Sequence, residues 1–318
     1  MQDFPADTLS NIVGLLRPHQ CVAAGLDAGG EWAVHFERHA GMKCNAIVQG
    51  ACTLCVAEAD AKSAGDLGDP IHLDQGDCFI LPHGRPFKIS SHDAAISTDA
   101  DVVYSPVPHG GTAVYNGGGT FFMTGARFLI SGAAARVLVG SLPPVLVVGR
   151  GTRSEAIQWL LNRIATELRA PGLGSALMIE HLSHILLVEV IRQYLAQASA
   201  PAVGWLAALA DPAIARAVGA MHADPARPWT VEALAKEAAM SRTSFAVRFR
   251  QVAGLTPVGY LTTLRMLLAS DRLKQSKDSI ASIAAQVGYM SESAFANAFK
   301  RQMGCSPRRH ASSRGKVF

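Results

Sequence analysis

The side chains best placed to do chemistry stand in two copies of one pattern. Met240, Ser241, Phe245, Phe249, Gly254 and Pro257 return about 50 residues later as Met290, Ser291, Phe295, Phe299, Gly304 and Pro307. Around the first Phe pair lie Arg242, Thr243, Ala246, Val247 and Arg250; around the second lie Ser293, Ala294, Asn297, Lys300 and Arg301. Cations of this kind neutralise phosphates, while short polar and apolar side chains reach base edges. Asn297 has the two-pronged amide that pairs with adenine, whereas Ala246 and Val247 offer only apolar contact to a thymine methyl. The second copy is therefore the richer in hydrogen-bonding readers.

Two short helices per copy are needed to hold these groups. Residues 231–239 and 280–289 are Ala-rich amphipathic stretches that break just before Ser241 and Ser291, which are natural N-caps for a second helix. Phe residues four apart share one inward face, leaving the polar set outward. Gly254 and Gly304 stand where helices end, and Pro257 and Pro307 where the next begin. From Pro257 to about residue 275, Leu261, Leu264, Leu267, Leu268 and Leu273 mark one helix between the copies. Its length of roughly 28 Å approaches the separation of about 34 Å between successive major-groove faces of a duplex.

At these residues the last hundred or so positions resemble the DNA-binding domain of the AraC/XylS family of transcriptional regulators, most closely over residues 283–307. The resemblance implies seven helices carrying two helix-turn-helix units. It also implies double-stranded DNA as partner, with RNA polymerase contact, activation and homodimerisation.

Charge is unevenly placed along the 318 residues. Residues 211–318 hold 16 Lys and Arg against 7 Asp and Glu, a balance of +9, while residues 1–210 hold 13 against 18, or −5, which together give the formal +4. Basic charge gathered in one region is the footprint of phosphate binding. The chain start lacks the basic and apolar runs of a secretory signal, and residues 177–195 are interrupted by five ionisable groups, too polar for a membrane span. Six cysteines in such a chain fit a reducing compartment, so a cytoplasmic protein is expected.

The N-terminal half reads as short strands. Residues 31–37, 43–49, 51–57, 71–73, 78–81, 87–90 and 119–130 are strand-like and separated by Gly, Pro and Asp turns, which predicts an antiparallel barrel or double sheet after a short helix at 7–16. Gly76 to Phe87 resembles the second motif of the cupin barrel, and Ala46 to Gly50 the end of the first. Where metal-binding cupins carry histidines this chain has Asn45 and Phe87, so neither a metal centre nor any other cofactor is expected. By analogy with the fold, Asn45, His83 and Phe87 surround the expected effector pocket. Cys52 and Cys55 fall on opposite faces of a strand, so they do not form a metal or disulfide pair. Cys21, Cys44 and Cys78 keep a redox-sensing alternative open. A cupin enzyme fused to a DNA-binding domain is the remaining alternative.

The expected fold is α+β with two domains. An N-terminal cupin-like sensor spans residues 1–200, with an antiparallel barrel at about 20–130 and a helical hairpin at 153–198. The apolar excess of that hairpin, at Met178, Leu182, Ile185, Leu186, Val188 and Ile191, fits either packing on its own barrel or a subunit interface, and the family resemblance implies the homodimer. A linker at 201–210 leads to an all-α domain at 211–318. The function expected is a transcription regulator without a catalytic step, controlled by an unidentified small-molecule effector.

Overall fold

A computed structural model describes residues 7–16, 19–58, 67–91, 96–107, 110–130, 133–149, 154–197 and 203–312. They fall into two units. One consists of residues 18–130 and 142–198, the other of residues 1–17, 131–141 and 199–318.

The first unit holds β1 (His19–Ala28), β2 (Ala33–Phe36), β3 (Met42–Gln49), β4 (Ala51–Val56), β5 (Ile71–Asp74), β6 (Cys78–Leu81), β7 (Phe87–Ser90) and β8 (Thr98–Asp99). It continues with β9 (Thr112–Tyr115), β10 (Phe121–Leu129) and β11 (Leu146–Val148), and includes the helices α2 (Ala100–Tyr104), α4 (Glu155–Arg169) and α5 (Ser175–Ala196). The strands form two sheets, ordered β11-β6-β3-β10-β1-β9 and β5-β4-β7-β2-β8. Phe79, Phe87, Ile89, Leu54 and Leu26 fill the space between them.

Of the expected antiparallel barrel or double sheet, the strands form an open double sheet, which corrects the barrel placed at about 20–130. Closure needs the edge strands to bond to one another, but β8 is two residues long and runs directly into α2, which packs against β8 and β9 at that seam. Two pairings, β1 with β9 and β2 with β8, are parallel. The hairpin of α4 and α5 is present as expected, with Ser154 capping α4 through the Ile157 N–H. In α5, Leu182, Leu186 and Ile191 are buried, while Met178 and Ile185 are exposed.

The second unit is helical: α1 (Thr8–Leu16), α3 (Ala133–Gly140), α6 (Trp205–Ala210), α7 (Pro212–Ala223), α8 (Val231–Glu237), α9 (Arg242–Ala253), α10 (Pro257–Gln275), α11 (Ile280–Gln286), α12 (Glu292–Met303) and α13 (Pro307–Ser312). Residues 201 and 202 of the expected linker lie outside the described residues. The rest of that stretch forms α6, with Trp205 buried and its indole N–H donating to the Leu138 carbonyl at 2.9 Å. Trp, Leu and Ala side chains over six residues bury more readily than a solvated tether would allow.

Caps place each helix of the repeat. Ser241 accepts from the Ser244 N–H and Ser291 from the Ala294 N–H, while Gly254 and Gly304 close α9 and α12 at φ of 73° and 75°. Thr256 caps α10, with Pro257 in its first turn. The repeats differ in the turn. Leu234 and Ala235 of α8 match Ile283 and Ala284 of α11 in burial, at an offset of 49, but the N-caps of α9 and α12 differ by 50. The turn into α12 thus holds one extra residue. The left-handed position is Ala239, at φ 53°, in the first turn and Gly288, at φ 81°, in the second.

Gly288 is required for two reasons: its φ, and a neighbour. A Cβ there would lie 2.5 Å from the Ala226 carbonyl oxygen, whereas one at Gly304 would meet open space. Gly288→Ala is expected to destabilise the helical unit by about 1–3 kcal/mol, and Gly304→Ala by less. Urea unfolding of both variants measures the order; equal losses would mean that left-handed backbone alone sets the cost.

Candidate nucleic-acid interface and interior cavity

Each repeat buries one side of its second helix completely. Phe245 and Phe249 stack edge to face at 5.5 Å, Phe295 and Phe299 lie at 5.6 Å, and all four are fully buried. Burial of the aromatic face fixes the roll of each helix and turns the opposite face out. Arg242, Thr243, Val247 and Arg250 are exposed on α9 with Ala246 half-buried beside them; Ser293, Ala294, Asn297, Lys300 and Arg301 are exposed on α12. Val247 is 53% exposed, an unusual site for a β-branched apolar residue on a helix. The residues singled out from the sequence thus form two outward faces, each on a capped helix of twelve residues.

Local ion pairs divide the cations. Arg242 Nε lies 2.6 Å from Glu232 Oε1, with both side chains more than half exposed. A pair this exposed contributes little, so a phosphate can replace Glu232 at little cost. Arg248 is committed otherwise. Its Nε donates to Asp211 Oδ2 at 2.7 Å, and Asp211 also caps α7 through the Ala213 and Ile214 N–H groups. Partial burial pushes the Asp211 carboxyl up, but the N–H donors and Arg248 outweigh this and hold it below its ordinary value of 3.8. The exposed Arg308 and Arg309 at the start of α13 add positive charge that the motif comparison missed; the signal was the Arg pair after Pro307.

A second feature lies inside the double sheet. A cavity of about 320 Å3 is lined by Lys43, Asn45, Tyr104, Met123, Gly125 and Arg127, among others. Of the three expected pocket residues, Asn45 alone lines it. Phe87 sits behind the wall, stacked on Phe36 at 4.4 Å. His83 is not on the cavity: its Nε2 is 2.9 Å from the Leu142 carbonyl oxygen. Lys43 and Arg127 escaped the sequence reading because β3 and β10 bring them together across some eighty residues.

The cysteines have poor chemistry for a sensor. All six are free. Burial pushes the Cys21 thiol up to about 11, Cys78 to about 12 and Cys44 well above its ordinary value. Thiolates, the reactive form, are scarce at neutral pH in such surroundings. Among the described residues no three His, Cys, Asp or Glu side chains are placed to hold a metal ion. No single described helix is long and apolar enough to cross a membrane.

Comparison with known proteins meets this geometry at both ends of the chain. A Cupin family matches residues 7–196 and a Helix-turn-helix domain family matches residues 234–312. An AraC-like transcription regulator of Streptomyces antibioticus is 39% identical over 302 residues, which are 95% of this chain and 97% of that one. The chain belongs to the AraC-type transcription regulators. The regulator is also 30% identical over 313 residues to the HTH-type transcriptional regulator AlkR of Acinetobacter baylyi, covering 96% of this chain and 98% of AlkR. Among solved structures, the DNA-binding domain of AdpA in complex with a target DNA is 34% identical, covers 32% of this chain and 92% of that domain, and has a TM-score of 0.31.

The Asp211 carboxylate carries a pH dependence. Its folded value is depressed, so it stabilises the fold above its unfolded value, and this is lost as pH falls through the folded one. Asp211→Asn keeps a capping oxygen but loses the charge. Thermal melts should show wild type ahead of the variant at pH 7, with the gap gone below the folded value; a gap unchanged by pH would remove the ion pair from the account.

Proposed function

We propose that this AraC-type regulator binds promoter DNA through α9 and α12, set in successive major grooves, and activates transcription when a small-molecule effector occupies the N-terminal unit. The observation that carries the reading is the pair of outward polar faces, each backed by a buried Phe pair, flanking one helix of 19 residues. At about 1.5 Å per residue that helix is about 28 Å long, close to one helical turn of the duplex.

Arg242, Arg250, Lys300 and Arg301 hold phosphates in this reading, with register set also by the capped helix ends. Thr243, Ala246, Val247, Ser293, Ala294 and Asn297 face the bases. The exposed Met178 and Ile185 of α5 support homodimerisation, since apolar side chains at that spacing form a stripe on one helix face. The effector acts by binding the DNA-competent arrangement more tightly than the alternative. In this reading the protein works in the cytoplasm, contacts RNA polymerase and performs no catalytic step.

Sequencing of genomic fragments bound by the purified protein at fixed salt tests the core of the reading. Sites with two short half-sites about one helical turn apart are expected; binding without sequence preference would defeat the two-reader geometry.

The variants divide by role. Asn297→Ala should cost about 1–3 kcal/mol at one base position, seen as relaxed preference there. Arg250→Ala should weaken all sequences alike and flatten the salt slope by about 1. Competition binding on single-base variants of a recovered site measures both; the opposite assignment of the two behaviours would reverse the roles.

A further inference from the structure

The wall of the interior cavity is built in three rows across β3, β10 and β1. Lys43 pairs with Arg127, which pairs with Val22; Asn45 pairs with Gly125, which pairs with Ala24; Ile47 pairs with Met123, which pairs with Leu26. All nine positions fall on one face, because side chains alternate along a strand with a period of two. The rows grade from two cations, through an amide beside two very small residues, to hydrocarbon continuous with the core. Phe36, Tyr104 and Val107 stand among the other lining residues.

The middle row contains a donor with no acceptor. Asn45 is 3% exposed, and its Nδ2 has no hydrogen-bond partner. Leaving such a buried group without a partner carries a desolvation penalty, so its place in a cavity wall marks a point where something accepts from it. Gly125 makes room for this amide: a Cβ there would lie 2.5 Å from Asn45 Oδ1. Ala24 leaves similar space on the next strand.

The charged row is also short of a counterpart. Lys43 Nζ lies 4.3 Å and 4.8 Å from the centres of the Phe36 and Phe87 rings, and among the described residues neither Lys43 nor Arg127 forms an ion pair with a carboxylate. Burial, reinforced by Arg127, pulls the Lys43 ammonium down to about 8, with only the exposed Asp101 opposing this. His39 nearby is drawn down to about 4 by burial and by Lys43, so it stays neutral. With Lys43 and Arg127 positive and Asp101 negative, the groups facing the cavity sum to one positive charge. A single anion balances that sum, whereas a dianion overshoots it.

We infer that the cavity takes a small organic carboxylate, with its anionic group among Lys43, Arg127 and the Asn45 amide and its hydrocarbon body against Met123, Phe36 and Tyr104. Its volume lies at the lower end of the range of about 300–1,000 Å3 for ligand pockets, which suits a monocyclic or short-chain acid. The regulatory meaning of the site rests on the effector reading proposed above; the ligand class rests on the three rows.

Calorimetric titration of the full-length protein with octanoate and benzoate, against octanamide and benzamide, tests the class. At least one carboxylate should bind about tenfold or more tightly than its amide, and Lys43→Met and Asn45→Leu should each lose about tenfold or more. Asn45→Leu removes a buried group that has no partner, so it should fold at least as well as wild type while losing the ligand. The inference is overturned if neither carboxylate binds, if the amides bind equally well, or if either variant binds like wild type. Repeating the titration with a recovered DNA site separates the two claims. Carboxylate binding through Lys43 and Asn45 that leaves DNA affinity unchanged upholds the site and ends the effector reading. A neutral compound that shifts DNA affinity through Asn45, while carboxylates do not bind, ends the inference and upholds the effector reading.

Discussion

Neither helix-turn-helix unit has enough residues for a core of its own, and the arrangement of the helical unit follows from that. From Val231 to Ala253 and from Ile280 to Met303 there is room for two short helices, well below the size at which a chain folds alone without a partner. Both units therefore lean on α10, which packs against α8, α9, α11, α12 and α13. Leu261, Leu264, Met266, Leu267, Ala269 and Leu273 are buried along it, more than one stripe of a helix. A single helix gripped from several sides sets the spacing and relative roll of the two outward faces.

Polar groups finish what the apolar contacts begin. The Asp211 carboxylate caps α7 and pairs with Arg248 of α9, joining the helix before the first unit to that unit's second helix. Arg265 donates to the Pro225 and Arg227 carbonyls and so ties α10 to the loop after α7. In that loop, Ala226 is the backbone against which Gly288 packs. The extra residue in the second turn is accommodated because a glycine takes the left-handed position there, with no Cβ to meet the carbonyl.

In the double sheet, strand alternation separates two environments on the same residues. Along β3, Lys43 and Asn45 line the cavity and Ile47, on the same face, joins the core, while Cys44 and Ala46 face the other way. Cys21, on the neighbouring side of the sheet, hydrogen-bonds to Ser183 of α5. The thiols are thus filling material beneath the helical hairpin. The polar groups on the inner face, by contrast, have a space to act on. A wide apolar stripe in α5 serves both sides of the helix: Leu182, Leu186 and Ile191 cover the sheet, and Met178 and Ile185 remain outside.

Much of the helical unit was legible from residue order because its determinants are local. Ser241, Ser291, Gly254, Gly304, Thr256 and Pro257 act on backbone within four residues of themselves, so caps and helix limits could be read directly, and α10 begins at the expected Pro257. The stretches that form β3, β4 and β7 were equally plain, and so was the opposition of Cys52 and Cys55. The one-residue difference between the turns was hidden, since the motif match begins after it. Strand partnership was hidden too. Nothing near Lys43 in sequence announces Arg127, and nothing near Asn45 announces that Gly125 lies across from it. Those pairings depend on long-range register. Sequence alone therefore determined the repeated unit and its outward residues; only the tertiary structure decided that the sheets stay open, that His83 lies off the cavity, and that two cations and an unpaired amide share one wall.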